Sequence, residues 1–195
     1  MKPIVTDSVS LDLQVLLDAG DELAVDDHWL DVVVYRHWAI AALSACLDNP
    51  EIMRGAGINP GQAMMELSVQ LLSEPAMADL NQRFKGTRKS TNVLSFPADM
   101  PILDPLTGVD SIADSAAVAL PVQSLGDLVL CPAVIAREAA RQGKELPDHR
   151  AHLVVHGVLH LCGHDHLEPK AASIMELTEI RILSNAGISD PYQES

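Results

Sequence analysis

The pattern of apolar and polar positions divides the chain into alternating strands and helices. Near 9–16, Val9, Leu11, Leu13 and Val15 alternate with polar residues, which predicts a strand with one buried face. From Trp29 to Leu47 the spacing turns helical. Leu30, Val33, Val34, His37, Ile40, Ala41 and Leu43 make one apolar stripe, and Asn49-Pro50 is expected to stop the helix. Glu66–Ser73 alternates and then runs apolar, as a second strand does. Ser73, followed by Glu74 and Pro75, is an N-cap signal for a helix over 74–84 with Met77 and Leu80 inward, ended by Gly86. Asn92–Phe96 reads as a short strand closed by Pro97, and Leu125–Cys131 as a buried one. Pro132 opens a helix to Arg141 that Gly143 closes. Asp148 can cap the next helix, whose Leu153, Val154, Val155, Val158 and Leu159 surround His156 and His160; a helix so apolar is buried. The last helix, about 170–186, should turn Ile174, Leu177, Ile180 and Leu183 inward. Between the third and fourth strands, residues 98–124 carry Pro, Asp, Ser and Gly at intervals. They read as a long surface loop with a hairpin at Leu106–Asp110.

A length of 195 residues with 48% hydrophobic content suits one globular domain. The expected division is an acidic segment over 1–28 and a single catalytic domain over 29–195. Lys2 is the one basic residue near the start, and Asp7 and Asp12 interrupt any apolar run, so no signal peptide is expected. No apolar stretch is expected to span a bilayer. Cys46, Cys131 and Cys162 form no C-x-x-C pair, which favours a reducing cytoplasm over a disulfide framework. The net charge of -14 argues against broad nucleic-acid binding, and against DNA. The charge is uneven, however. Residues 1–31 hold eight acidic side chains and one basic one, whereas Arg83, Lys85, Arg88 and Lys89 crowd into 83–89 with no acid among them.

The candidate chemistry lies in His156-Gly157-Val158-Leu159-His160-Leu161-Cys162-Gly163-His164-Asp165-His166. His156 and His160, four apart, share one face of a helix. Gly163 can end that helix in a left-handed turn and bring His166 back to the same point. Three imidazoles with an open fourth position make a catalytic zinc site for one ion, held by His156, His160 and His166. His164 is a rival ligand, but an exposed or supporting role is preferred for it. Asp165 could accept the second N–H of a ligand histidine or be a solvated turn residue. Cys162 reads as a buried thiol, and Asp127 as the residue that fixes a strand start. The frame is that of the metzincin proteases, which need a Glu directly after the first histidine as general base. Gly157 stands there, which disfavours a conventional peptidase and suits attack on a phosphodiester.

The same residues resemble the signature of the YbeY family of rRNA maturation factors, which are zinc-dependent endoribonucleases. Leu80–Gly86 with Ser90–Pro97, and Leu125–Cys131, resemble two further motifs of that family, and the tail at Asp190-Pro191-Tyr192 fits as well. The resemblance covers roughly 64–192. It implies an α+β fold: a small mixed, mostly parallel β-sheet flanked by helices, in a zinc-dependent, metzincin-like arrangement. It implies single-stranded RNA cleavage in the cytoplasm, at the end of small-subunit rRNA and in ribosome quality control. The implied partners are rRNA and ribosomal particles, with a small-subunit ribosomal protein or an assembly GTPase as candidates and no membrane. A basic residue of the second motif should face the metal. Where the family has an arginine, this chain has Lys85, which keeps the charge but loses the bidentate fork. The catalytic residues expected are therefore Lys85 and His156, with Arg83, Lys85, Arg88 and Lys89 on the substrate phosphates. A zinc metallopeptidase and a non-catalytic assembly factor with structural zinc stand as alternatives.

Overall fold

The sheet is built from strands of opposite burial on alternate residues. The computed structural model describes residues 11–17, 27–59, 64–98, 122–165 and 168–193. Strand β1 (Leu11–Leu17) is followed by helices α1 (Val32–Leu47) and α2 (Pro50–Gly55), strand β2 (Met64–Leu71) and helix α3 (Glu74–Lys85). Strands β3 (Val93–Pro97) and β4 (Val122–Leu130) precede helices α4 (Pro132–Gln142), α5 (Leu146–Leu161) and α6 (Pro169–Asn185). The four strands lie in the order β1-β2-β4-β3. The pairs β1–β2 and β2–β4 are parallel, and β3 runs antiparallel along β4 at one edge. This is the α+β architecture with a mixed, mostly parallel sheet. The expected hairpin at Leu106–Asp110, and nearly all of the 98–124 loop, lie outside the described residues.

One face of the sheet carries the larger core. Leu11, Leu13, Leu67, Val69, Leu71, Leu128 and Leu130 pack there with α1, α5 and α6. The other face, at the β3–β4 end, packs Leu94, Phe96 and Val129 against Met77 and Leu80 of α3. Helices α3 and α5 thus sit on opposite layers. Ser73 caps α3 through its hydroxyl, as its sequence predicts.

Three readings of pattern are corrected. Helix α1 starts at Val32, capped by Asp31, and Asp27–Trp29 forms a separate 3-10 turn. Its buried positions are Tyr35, Ala39, Ala41, Ala42, Leu43 and Cys46, while Val33 is 72% exposed. The stripe is rotated because small alanines allow close packing on α5 and hydropathy ranks them below valine. Asn49-Pro50 does end α1, but Pro50 also opens α2, where its missing N–H costs nothing. The stretch Asp27–Leu47 is, by length and composition, long and apolar enough to cross a membrane, contrary to expectation. Its packing gives that apolarity a structural use. Ala39, Ala42 and Cys46 are fully buried in the core, and Arg150 of α5 stacks over Trp29 and Tyr35 while donating to the His28 carbonyl.

Helix α5 approaches the sheet through Gly157. A Cβ at this position would stand 2.1 Å from Leu128 Cδ1, 3.1 Å from Ser95 Oγ and 3.4 Å from Val93 Cγ2. Ser95 also donates to the Gly157 carbonyl at 3.1 Å. Alanine would raise helix propensity by up to about 1 kcal/mol. Forcing Leu128, which is fully buried, to move costs about 1–3 kcal/mol. Gly157→Ala is therefore expected to destabilise the fold, and Gly157→Glu to do so more severely, as measured by urea denaturation.

Candidate metal centre

Helix α5 carries four histidines along one face: His149, His152, His156 and His160. Successive ring centroids are 6.3, 6.1 and 4.6 Å apart. Spacings of three, four and four residues keep them in a column because each step returns close to the same side of a helix. The helix begins at Leu146 with Glu145 in the cap position. Asp148, expected as the cap, lies in the first turn instead. There its carboxylate still complements the positive end of the helix dipole.

Every ring in the column has one nitrogen against an acceptor. His149 Nε2 lies 3.3 Å from Glu138 Oε2. His152 Nε2 lies 2.8 Å from Glu179 Oε2, and His156 Nδ1 lies 2.9 Å from Glu179 Oε1. His160 Nδ1 lies 3.0 Å from the backbone carbonyl of His164. A carbonyl only accepts, so His160 carries a proton on Nδ1. Glu179 Oε1 offers the same kind of acceptor to His156 Nδ1. Neutral imidazoles with an Nδ1 proton held by a carboxylate or a carbonyl are the donor form that divalent metals take at Nε2. The donor chemistry at His156 and His160 therefore fits a zinc-like ion.

The turn after α5 makes the His160 contact. Gly163 has φ +94°, and a Cβ there would meet Ala56 Cβ at 2.7 Å and the Ile52 carbonyl at 3.0 Å. Glycine satisfies both the left-handed backbone and the close approach to α2. His164 follows and is buried; of the two roles expected for it, exposed or supporting, it takes the supporting one, through its backbone oxygen on His160. Asp165 is exposed, and the acceptors facing the two Nδ1 atoms are Glu179 and the His164 carbonyl. Cys162 is a buried free thiol, as are Cys46 and Cys131. His166 lies outside the described residues.

Glu179 is the residue that sequence reasoning missed. It is fully buried on α6, and its two oxygens accept from His152, His156 and the hydroxyl of Tyr192. Burial alone would raise its pKa, but the hydrogen bonds from His152, His156 and Tyr192 outweigh that and hold it down at about 2. Ligand atoms of His152, His156 and Glu179 all lie within 4.8 Å of one another, so this group too could bind a metal ion. Its N···O distances are those of hydrogen bonds. Ligands around a tetrahedral ion with bonds of about 2.0–2.1 Å stand roughly 3.3 Å apart. The geometry here is a carboxylate holding two imidazole protons. Glu179 was concealed by the periodicity assigned to α6: Leu177 is 66% exposed and Ile174 38% exposed, while Met175, Glu179, Ile182 and Leu183 are buried. The usable signal was a lone acid one helical turn from Met175 and Ile182.

The basic residues are exposed and belong to the other layer. Arg83 and Lys85 end α3, and Lys89 is in the loop that Asn81 ties back to α3 through a 2.7 Å bond to the Lys89 carbonyl. Arg88 pairs with Asp79 at 3.0 Å. Phe84 packs edge-on against Phe96, with centroids 4.6 Å apart, which anchors the end of α3 to β3. The sheet thus stands between α3 and the helix that carries the histidine column. Asp127 lies inside β4 rather than at its start; it is partly buried, and burial raises its pKa against the pull of Gln70, whose amide donates to Asp127 Oδ1 at 3.5 Å. Gly157 points into the sheet, so no side chain at that position could act as a base toward the column.

His149 offers a pH test of this column. Desolvation lowers its pKa from 6.5, against the opposing pull of Glu138. A folded-state pKa below the unfolded one means the unfolded chain binds more protons. Stability from this residue is therefore present above about pH 6.5 and lost as the pH falls below it. His149→Gln should flatten that part of the stability–pH curve, as read by urea denaturation between pH 7.5 and 5.5.

Residues 30–187 match the family model described as Endoribonuclease YbeY. A protein named Endoribonuclease YbeY from Halorhodospira halophila is 48% identical over 129 residues, 66% of this chain and 75% of that protein. Its namesake from Xanthomonas campestris pv. campestris is 40% identical over 179 residues, 91% of this chain and 94% of that one. The solution structure of TM1509 from Thermotoga maritima superimposes with a TM-score of 0.46 at 20% identity, covering 93% of this chain and 99% of that one. The matched span runs from the start of α1 past α6, through His156, His160 and Glu179, and the chain belongs to the endoribonuclease YbeY family.

Proposed function

We propose that this protein is a zinc-dependent endoribonuclease that cleaves single-stranded RNA in the maturation of small-subunit rRNA and in ribosome quality control. The observation that carries the reading is the pair of α5 imidazoles, His156 and His160, both with Nδ1 on an acceptor. The family of the chain supports the RNA substrate. His156, His160 and His166 would hold one zinc ion. When bound, the ion supplies a Lewis acid that polarises a phosphoryl oxygen and acidifies water at neutral pH. Glu179 and the His164 carbonyl orient the two imidazoles. Arg83, Lys85, Arg88 and Lys89 would contact substrate phosphates, and Lys85, beside the Phe84 that anchors the end of α3 on the edge strand β3, would reach past that edge to offset charge that develops at the scissile phosphate. Such a protein works in the cytoplasm on rRNA within ribosomal particles, with a small-subunit ribosomal protein or an assembly GTPase as its protein partners.

Purified protein with zinc is expected to cut a single-stranded fragment of small-subunit rRNA, and His156→Ala to lose that cleavage; equal cutting by both proteins would refute the assignment. Both cores are closed by apolar side chains rather than by the histidines. A chelator should therefore abolish cleavage while circular dichroism shows the fold retained. Loss of the fold would favour structural zinc.

The basic residues make a separate prediction. Removing one phosphate contact lowers the slope of log K against log salt by about 0.7 for a single strand. Arg83→Ala and Lys85→Ala should each show a reduction of that order in filter-binding titrations.

A further inference from the structure

Beyond the histidine ligands, one buried carboxylate joins three parts of the chain. Glu179 lies on α6, His152 and His156 on α5, and Tyr192 in the segment after α6. That segment is tied down independently. Lys144 donates to the Pro191 carbonyl at 2.6 Å, and the Tyr192 amide donates to Asp190 Oδ1 at 2.9 Å. The Tyr192 ring packs edge-on against His152, with centroids 5.5 Å apart. Its hydroxyl donates to the same oxygen, Oε2, that accepts from His152. The other oxygen, Oε1, faces His156.

A carboxylate is suited to this place for a specific reason. It offers acceptors on both oxygens, so it can receive protons from two imidazoles and a phenol at once. An amide accepts at one end only and presents an NH2 at the other. A glutamine at 179 would therefore force either His152 or His156 to turn a lone pair toward it, moving that ring's proton to the opposite nitrogen. At His156 this would place the proton on Nε2, the nitrogen a metal needs.

We propose that Glu179 is the positioning residue of the metal centre, fixing the tautomer and orientation of His156, and that Tyr192 and His152 hold Glu179 in the arrangement that does so. The C-terminal segment is thereby part of the site without touching substrate. The inference rests on the reading of His156 as a metal ligand, and the test separates the two.

Full-length wild type, Glu179→Gln and Tyr192→Phe are compared by zinc affinity, using competition with a chromophoric chelator, and by imidazole 15N shifts of the metal-free proteins. Removing a partner of a ligand histidine typically weakens metal binding 10–100-fold. Glu179→Gln should fall in that range and move the proton of His152 or His156 to the other ring nitrogen. Tyr192→Phe keeps the ring packing on His152 and removes only the hydroxyl from a half-exposed side chain, so it should fold normally and bind zinc more weakly than wild type but better than Glu179→Gln. Unchanged zinc affinity in Tyr192→Phe, or unchanged tautomers in a folded Glu179→Gln, would overturn the proposal. If Glu179→Gln does not fold, the Tyr192→Phe affinity decides. If wild type binds no zinc, the metal reading fails, and the 15N shifts of the metal-free proteins still decide whether Glu179 sets the tautomers.

Discussion

A carboxylate with no exposure to solvent, Glu179, constrains the packing of the two C-terminal helices. An ion in a protein interior carries a penalty of several kcal/mol unless donors surround it. Here the donors are two imidazoles and a phenol, and they come from α5 and from the segment after α6. Helices α5 and α6 must therefore pack with His152 and His156 facing position 179, and the chain after α6 must return over His152. The same contacts that satisfy the charge hold the His156 ring in one tautomer. Stability of the helix pair and preparation of the metal centre thus rest on one set of hydrogen bonds.

The second constraint is the close approach of α5 to the sheet. Gly157 lets the helix backbone lie against Leu128 and Ser95, with His156 about 100° round the helix from that contact. The absence of a protease-like glutamate has in this way a packing cause as well as a chemical one. A side chain at 157 would enter the core and not the site. Gly163 acts similarly at the end of α5, where contact with α2 and a left-handed backbone together turn the His164 carbonyl toward His160.

Much of the fold was legible in the residues. Alternation located β1 and β2, and short runs with Pro97 and Pro132 after them located β3 and β4, each within a few positions. Proline and glycine marked most helix ends, because their backbone limits hold regardless of tertiary context. The helix faces were harder. In α1, alanines took the core positions expected of valines. In α6, Leu177 went to solvent and Glu179 to the interior. Hydropathy measures the transfer of a side chain to an apolar medium, whereas these positions were settled by close packing and by partners distant in sequence.

By itself, the sequence determined the histidine spacing, the missing glutamate at 157, the glycine turn and the family resemblance. All four are local patterns that survive without knowledge of distant contacts. Only the tertiary structure decided which acceptors hold the ring protons, since Glu179 lies 23 residues from His156. It also decided that the cations at 83–89 ride on the layer opposite α5, because that depends on which face of the sheet each helix covers. Local patterns specify which atoms are available for chemistry. Long-range packing specifies which of them meet.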